Sequence, residues 1–348
     1  MTPEHDSDNR ATSSPDAVTI GSAPGIEVDV LPFGATLQRM SVTGGDGRRR
    51  DVLVGVADES GLRASGDYLG STVGRYANRI AGGRFELDGT DVEVTLNDGD
   101  NHLHGGIDGF DSRTWTVVDR SADSVELELV SPDGDQGYPG ELRVRARVTA
   151  GPSTVRLELV AVTDKPTVVN LTNHAYFDLA GEGIDDHTLQ VDAAAFVPVD
   201  SAGIPTGGTA ELSGTALDLR TPRRLGDVSR ADDPHVLATR GVDHNYVLDG
   251  DLGGDGLRRA ARLISDVSAT SLEIWTDQPG LQVYTGNFLD GSTVSRRGRA
   301  IRQGDGIALE PQLFPDSPHH DTFPSAVLRP GETYRWVTEY RFGSADGL

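Results

Sequence analysis

The sequence predicts an all-β fold, a large antiparallel β-sandwich. From about Val18 onward it falls into short runs in which apolar and polar residues alternate, the period of a strand with one wet face. Gly, Asp, Asn and Pro punctuate these runs, as turns require. No comparably long window carries helical periodicity.

Taken in order, Phe85-Glu86-Leu87 and Val92-Glu93-Val94 flank Asp88-Gly89, and a short Asp-Gly connection between alternating runs signals a hairpin. Val125, Leu127 and Leu129 alternate with Glu126 and Glu128, and Leu142, Val144, Ala146 and Val148 with Arg143, Arg145 and Arg147. Further strands are expected over Val155 to Val160, Leu272 to Thr276 and Leu281 to Thr285. Near the end, Tyr334, Trp336, Thr338, Tyr340 and Phe342 share one face. Segments 201–215 and 226–241, rich in Gly, Ser, Asp and Ala, read as surface excursions. The Arg48 to Arg50 run follows Gly44, Gly45 and Gly47 and is expected in a solvated turn. With no linker or composition break, residues 18–348 read as a single domain, preceded by a disordered acidic tail over 1–17.

With 348 residues, 36% of them apolar, the chain can bury a substantial core. Its charge is extreme: 54 acidic residues face 31 Lys and Arg, a formal charge of -23, and Lys165 is the only lysine. A dense carboxylate surface repels itself over a distance that shrinks as salt rises, so salt should stabilise the fold. The excess of acid with near-absence of lysine resembles halophilic proteins, which work in molar salt. Nucleic acid and anionic membrane are excluded as partners, because nothing offsets repulsion from phosphate. A neutral small molecule fits better. The absence of cysteine excludes disulfides, thiolate metal sites and a cysteine nucleophile. No segment has the apolar length of a signal peptide or membrane span, so a cytoplasmic location is expected.

Five islands break the alternation by packing polar residues beside glycines or aromatics. The first is Gly74-Arg75-Tyr76-Ala77-Asn78-Arg79-Ile80. Alone, it could equally hold a surface ion pair. In Asn101-His102-Leu103-His104-Gly105-Gly106, two imidazoles two residues apart would share one face of a strand, and the glycines would let a ligand approach the backbone. A hydrogen-bonded turn or an H-x-H metal site would use the same residues. Asn173-His174-Ala175-Tyr176-Phe177-Asp178-Leu179 sets a histidine among aromatics after an apolar strand. Burial lowers such a pKa and a nearby carboxylate raises it, which is how a general acid is tuned. Val242-Asp243-His244-Asn245-Tyr246 offers acceptors suited to sugar hydroxyls, or ordinary turn chemistry. In Ile307-Ala308-Leu309-Glu310-Pro311-Gln312 a single carboxylate ends an apolar run, where it is costly unless paired or functional. Asp277 to Asn287 adds amides, Gln282 among them, and Tyr284.

Taken together and in this order, GRYANRI, NHLHGG, NHAYFDL, VDHNYVL, DQPGLQVYTGN and LEPQLFPD resemble the aldose 1-epimerase (galactose mutarotase) family. The motifs run from about residue 74 to 316. The resemblance implies a β-sandwich of the galactose mutarotase type with an open carbohydrate cleft, a free aldose as substrate, and neither cofactor nor metal. It places the catalytic histidine on His174 and the catalytic glutamate on Glu310. It places substrate contacts on Asn78, Arg79, His104, Asp243 and Gln282, and assigns His102 no role. The family usually has asparagine where this chain has Asp178, which implies altered local hydrogen bonding with catalysis retained. The implied reaction interconverts α and β anomers by acid-base ring opening and closure. Three alternatives use the same residues: a sugar-phosphate epimerase, which would need clustered cations; a non-catalytic sugar-binding module; and a metal-dependent sandwich enzyme built on His102, His104 and His174.

Overall fold

A computed structural model describes residues 17–345. The tail expected over 1–17 lies outside the described residues except for Ala17, which packs against buried apolar side chains. Two antiparallel sheets dominate. The nine-stranded sheet runs, in spatial order, through Thr116–Arg120, Ser124–Ser131, Leu142–Ala150, Thr154–Thr163, Tyr334–Ser344, Thr270–Thr276, Arg258–Ser265, Thr188–Val191 and Arg223–Arg224. The seven-stranded sheet runs through Ala210–Glu211, Ala193–Val197, Asp243–Leu248, Gly280–Tyr284, Ile307–Gln312, Tyr176–Phe177 and Leu53–Val54.

Each expected alternating run falls on a strand, with Val94 and Thr285 just past the ends of theirs. Arg143, Arg145 and Arg147 point to solvent and pair with Glu126 and Glu128 across the ladder, while Leu142, Val144, Ala146 and Val148 are buried. Arg84–Leu87 and Thr90–Glu93 form the hairpin, with Asp88 and Gly89 at φ of 52° and 77°. Two successive left-handed residues match the twist of the flanking strands. The Arg48 to Arg50 run enters the edge strand Arg49–Asp51, where Arg50 pairs with Asp46.

The segments expected as surface excursions are corrected in part. Leu225–Val228 and Pro234–Thr239 are helical turns that bury Leu225, Val228 and Val236 in the main core, and Leu212 is buried there too. Asp233 caps the second turn by accepting from the His235 N–H, with Pro234 in the first helical turn. At four and six residues, these turns are too short to show a periodic stripe.

The seven-stranded sheet turns one face to the nine-stranded sheet and the other to the functional site, and strand alternation decides which residue goes where. Ile307 and Leu309, Leu281 and Val283, and Phe177 join Trp336, Tyr340 and Ile274 in one core. The Phe177 and Tyr340 rings meet at 5.2 Å. Glu310, Gln282, Tyr284, Asp243 and Tyr176 therefore face away from that core. Pro311 falls where the neighbouring strand, paired only at Ile307 and Ala308, has already ended. Its carbonyl accepts from Trp336 Nε1 at 2.7 Å and Thr172 Oγ1 at 2.9 Å, which fixes the backbone beside Glu310.

Candidate active site

Asn78, Arg79, His104, His174, Asp243, Gln282 and Glu310, drawn from segments 230 residues apart, line one open cavity of about 290 Å³. Gln282 stands opposite Glu310 in the strand register and its Nε2 donates to Asp243 Oδ1 at 2.7 Å. The other wall comes from the first two islands. Asn78 has a φ of 67° and donates its backbone N–H to His104 Nδ1 at 3.2 Å, while Asn78 Oδ1 accepts from the Arg79 N–H at 2.9 Å. Arg79 is aimed by Asp98, whose Oδ2 accepts from Nε at 2.7 Å.

The histidines of the second island part company. The strand ends at Leu103 and His104 turns to a φ of 52°, so alternation stops and the imidazoles do not share a face, contrary to expectation. His102 is structural: Nδ1 donates to Thr95 O at 2.7 Å and Nε2 accepts from the Tyr138 hydroxyl at 2.6 Å. Both nitrogens are engaged away from the cavity, and among the described residues no group of three or more His, Asp or Glu is placed to hold a metal ion. Asp178 is also outside the site. Its carboxylate accepts from the Ala180, Gly181 and Gly183 N–H groups at 2.8 to 3.1 Å.

His174 and Glu310 face each other, with Nε2 3.6 Å from Oε1 and both side chains about 95% or more buried. Burial pulls the imidazole down to about 4, and burial reinforced by the Asp243 carboxylate pushes Glu310 well above the ordinary carboxyl range. Both directions favour the neutral forms of the two groups. Glu310 Oε2, Gln282 Oε1 and His174 Nδ1 are buried without a hydrogen-bond partner among the described residues. Buried polar groups are normally satisfied, so unpaired polar atoms beside a cavity are suited to a polyhydroxylated ligand.

Comparison with known proteins decides the family. The profile described as "Aldose 1-epimerase" matches residues 16–341. The chain belongs to the aldose 1-epimerase family. Galactose mutarotase from Bos taurus is 42% identical over 323 residues, 92% of each chain, and aldose 1-epimerase from Escherichia coli K12 is 39% identical over 331 residues, covering 93% and 94%. Among solved structures, the aldose epimerase homologue from C. elegans superposes with a TM-score of 0.88 at 30% identity, covering 94% of this chain and 98% of that one. Galactose 1-epimerase from Lactobacillus acidophilus gives 0.83 at 33%, covering 94% of each. This aldose 1-epimerase lines its cavity with further residues that no motif flagged: Asp67, Tyr68, Asp98 and Phe288. Asp98 and Tyr68 lie in ordinary turn sequence, and only the fold carries them to Arg79 and to His174.

Proposed function

We propose that this aldose 1-epimerase interconverts the anomers of a free aldose through Glu310 and His174, with Asn78, Arg79, His104, Asp243 and Gln282 holding the sugar. The observation that carries the reading is the facing pair at 3.6 Å, buried, with both groups shifted toward their neutral forms. Ring opening needs one proton removed from the C1 hydroxyl and one delivered to the ring oxygen. A closed sugar that donates its C1 hydroxyl to Glu310 and accepts at O5 from His174 Nε2 favours carboxylate with imidazolium, drawing the proton across. Glu310 then takes the C1 hydroxyl proton, the C1–O5 bond breaks as the C1–O1 bond gains double-bond character, and His174 protonates O5. This leaves Glu310 protonated and His174 neutral, the forms that burial favours. Rotation about C1–C2 presents the other face of the aldehyde. Closure reverses the transfers and yields the other anomer.

The lining also supports a neutral substrate. Among the described residues Arg79 is the only Lys or Arg in it and is engaged by Asp98, while Asp67, Asp98, Asp243 and Glu310 supply carboxyl groups. A sugar phosphate would meet repulsion with no free cationic cluster. The single lysine and the charge of -23 support a working environment of molar salt. Polarimetry of freshly dissolved α-D-glucose and α-D-galactose in multimolar KCl tests the reading. Wild type should reach the same equilibrium rotation faster than a blank, and Glu310→Gln and His174→Ala should each lose most of that acceleration. A fully active variant of either kind would remove its residue from the mechanism.

A further inference from the structure

His174 Nδ1 has no hydrogen bond to another described residue, although its other nitrogen faces Glu310. A histidine that moves protons is ordinarily aimed by a partner on its second nitrogen. Here rings surround it instead. Tyr68 lies nearly parallel to the imidazole, with centroids 5.8 Å apart and planes 22° apart, and Tyr176 sits at 4.8 Å inclined by 33°. His104 and Tyr284 meet it edge-on, at 5.5 and 6.2 Å.

Of these rings, Tyr68 is held in place by the backbone of His174 itself. The His174 N–H donates to Ser71 O and the His174 carbonyl accepts from the Gly70 N–H, both at 2.9 Å. The Ser71 N–H donates back to Tyr68 O at 3.0 Å, closing a turn that begins at Tyr68. Asn173 Nδ2 adds a 2.7 Å bond to Gly70 O. Within this turn Tyr68 adopts a φ of 55°, a left-handed conformation costly for a bulky residue and retained only where its surroundings fix it. The Tyr68 ring also packs on His104 at 4.7 Å, so one side chain spans a proposed sugar contact and the proposed acid. Tyr68 also lines the cavity.

We propose that Tyr68 is a positioning residue for His174: its ring takes the place of the missing Nδ1 partner, holding the imidazole toward Glu310 and presenting a π face to the imidazolium formed in turnover. The electron-rich face of an aromatic ring attracts a cation, most strongly where water is excluded. The inference rests on His174 being the acid of the reaction, but its spectroscopic test does not.

Tyr68→Phe keeps the ring and Tyr68→Leu removes it. The Phe variant should retain kcat within about threefold, its KM reporting the hydroxyl alone, while the Leu variant loses about 10- to 30-fold in kcat, a loss of the size ring contacts to a cation produce. In NMR titration of ring-labelled protein, the His174 resonance should move to lower pH by about half a unit or more in Leu and stay in place in Phe. If Leu does not fold, Tyr68→Asn supplies the ring-less protein, because asparagine tolerates a left-handed backbone. Equal kcat and equal His174 titration in the ring-less and Phe variants would overturn the proposal. A shifted titration in an enzyme whose His174→Ala variant stays fully active would instead keep the ring contact and reject the acid.

Discussion

Glu310→Gln separates the cost of the buried carboxyl from its use. Glutamine has nearly the same shape, so the strand Ile307–Gln312 and the Pro311 anchor should be undisturbed. The variant cannot take the C1 hydroxyl proton, and loss of positioned proton transfer removes about two to four orders of magnitude in kcat. Stability should move the other way. The folded-state pKa of Glu310 lies well above its ordinary 4.5, so the folded protein binds that proton more tightly than the unfolded chain does. Relative to the Gln variant, wild type is therefore at its best below pH 4.5 and loses ground as pH rises toward the folded-state pKa. Over that window the slope is about 1.4 kcal/mol per pH unit. An unfolding entropy of about 2.1 cal/mol/K per residue gives about 0.7 kcal/mol/K for this chain, so the two Tm values should diverge by about 2 °C per pH unit. His174, pulled below its ordinary value, binds its proton more weakly when folded and lowers stability as pH falls from 6.5 to about 4. It is present in both proteins and cancels in the difference to first order. Differential scanning calorimetry from pH 4.5 to 9, paired with polarimetry, checks both halves. Parallel Tm curves would refute the buried-carboxyl argument, and undiminished mutarotation would refute Glu310 as the base.

Three further outcomes are expected. Asp178→Asn should lower Tm by about 1–4 °C, because an amide nitrogen cannot accept one of the three backbone N–H groups, while turnover stays within twofold; a large loss of kcat would bring Asp178 into the site. Gly203 has a φ of 75° and a Cβ there would stand 2.6 Å from Arg79 Nη1, so Gly203→Ala should displace the guanidinium and raise KM for the aldose about 3- to 10-fold with little change in kcat. An unchanged KM in steady-state polarimetry would count against Arg79 as a sugar contact. Thermal unfolding should shift upward from 0.1 to 3 M KCl, since screening shortens the range of carboxylate repulsion while exposed arginine pairs have only about 0–1 kcal/mol each to lose; a flat or falling Tm would reject the high-salt reading.

Much of the fold was legible because a half-buried strand writes its geometry into the sequence. The outward Arg143, Arg145 and Arg147 and the outward Glu126 and Glu128 could be read from alternation alone, though not their pairing, and the Asp88-Gly89 hairpin from turn chemistry. What stayed hidden has a physical reason in each case. The turn Pro234–Thr239 buries Val236 with too few residues for a periodic stripe, so it reads as loop. His102 and His104 look alike in the sequence, yet one left-handed residue ends the strand between a structural histidine and one that faces the cavity.

The site shows the same division more sharply. A carboxylate ending an apolar run and a histidine among aromatics each announce an unusual environment, and both do so without long-range information. Their protonation could not be read that way, because it depends on distances between segments far apart in the chain. A carboxylate near His174 was expected to favour imidazolium, but at 3.6 Å with both groups buried, burial shifts each of them toward its neutral form. That arrangement suits a reaction that must run in both directions. Ionic and neutral pairs differ by one proton displacement, so the forms that open one anomer and close the other are adjacent states of one site. A pair locked as carboxylate and imidazolium by strong hydrogen bonds would favour opening and resist closure. The unpartnered Glu310 Oε2 and His174 Nδ1 are consistent with a pair left unlocked.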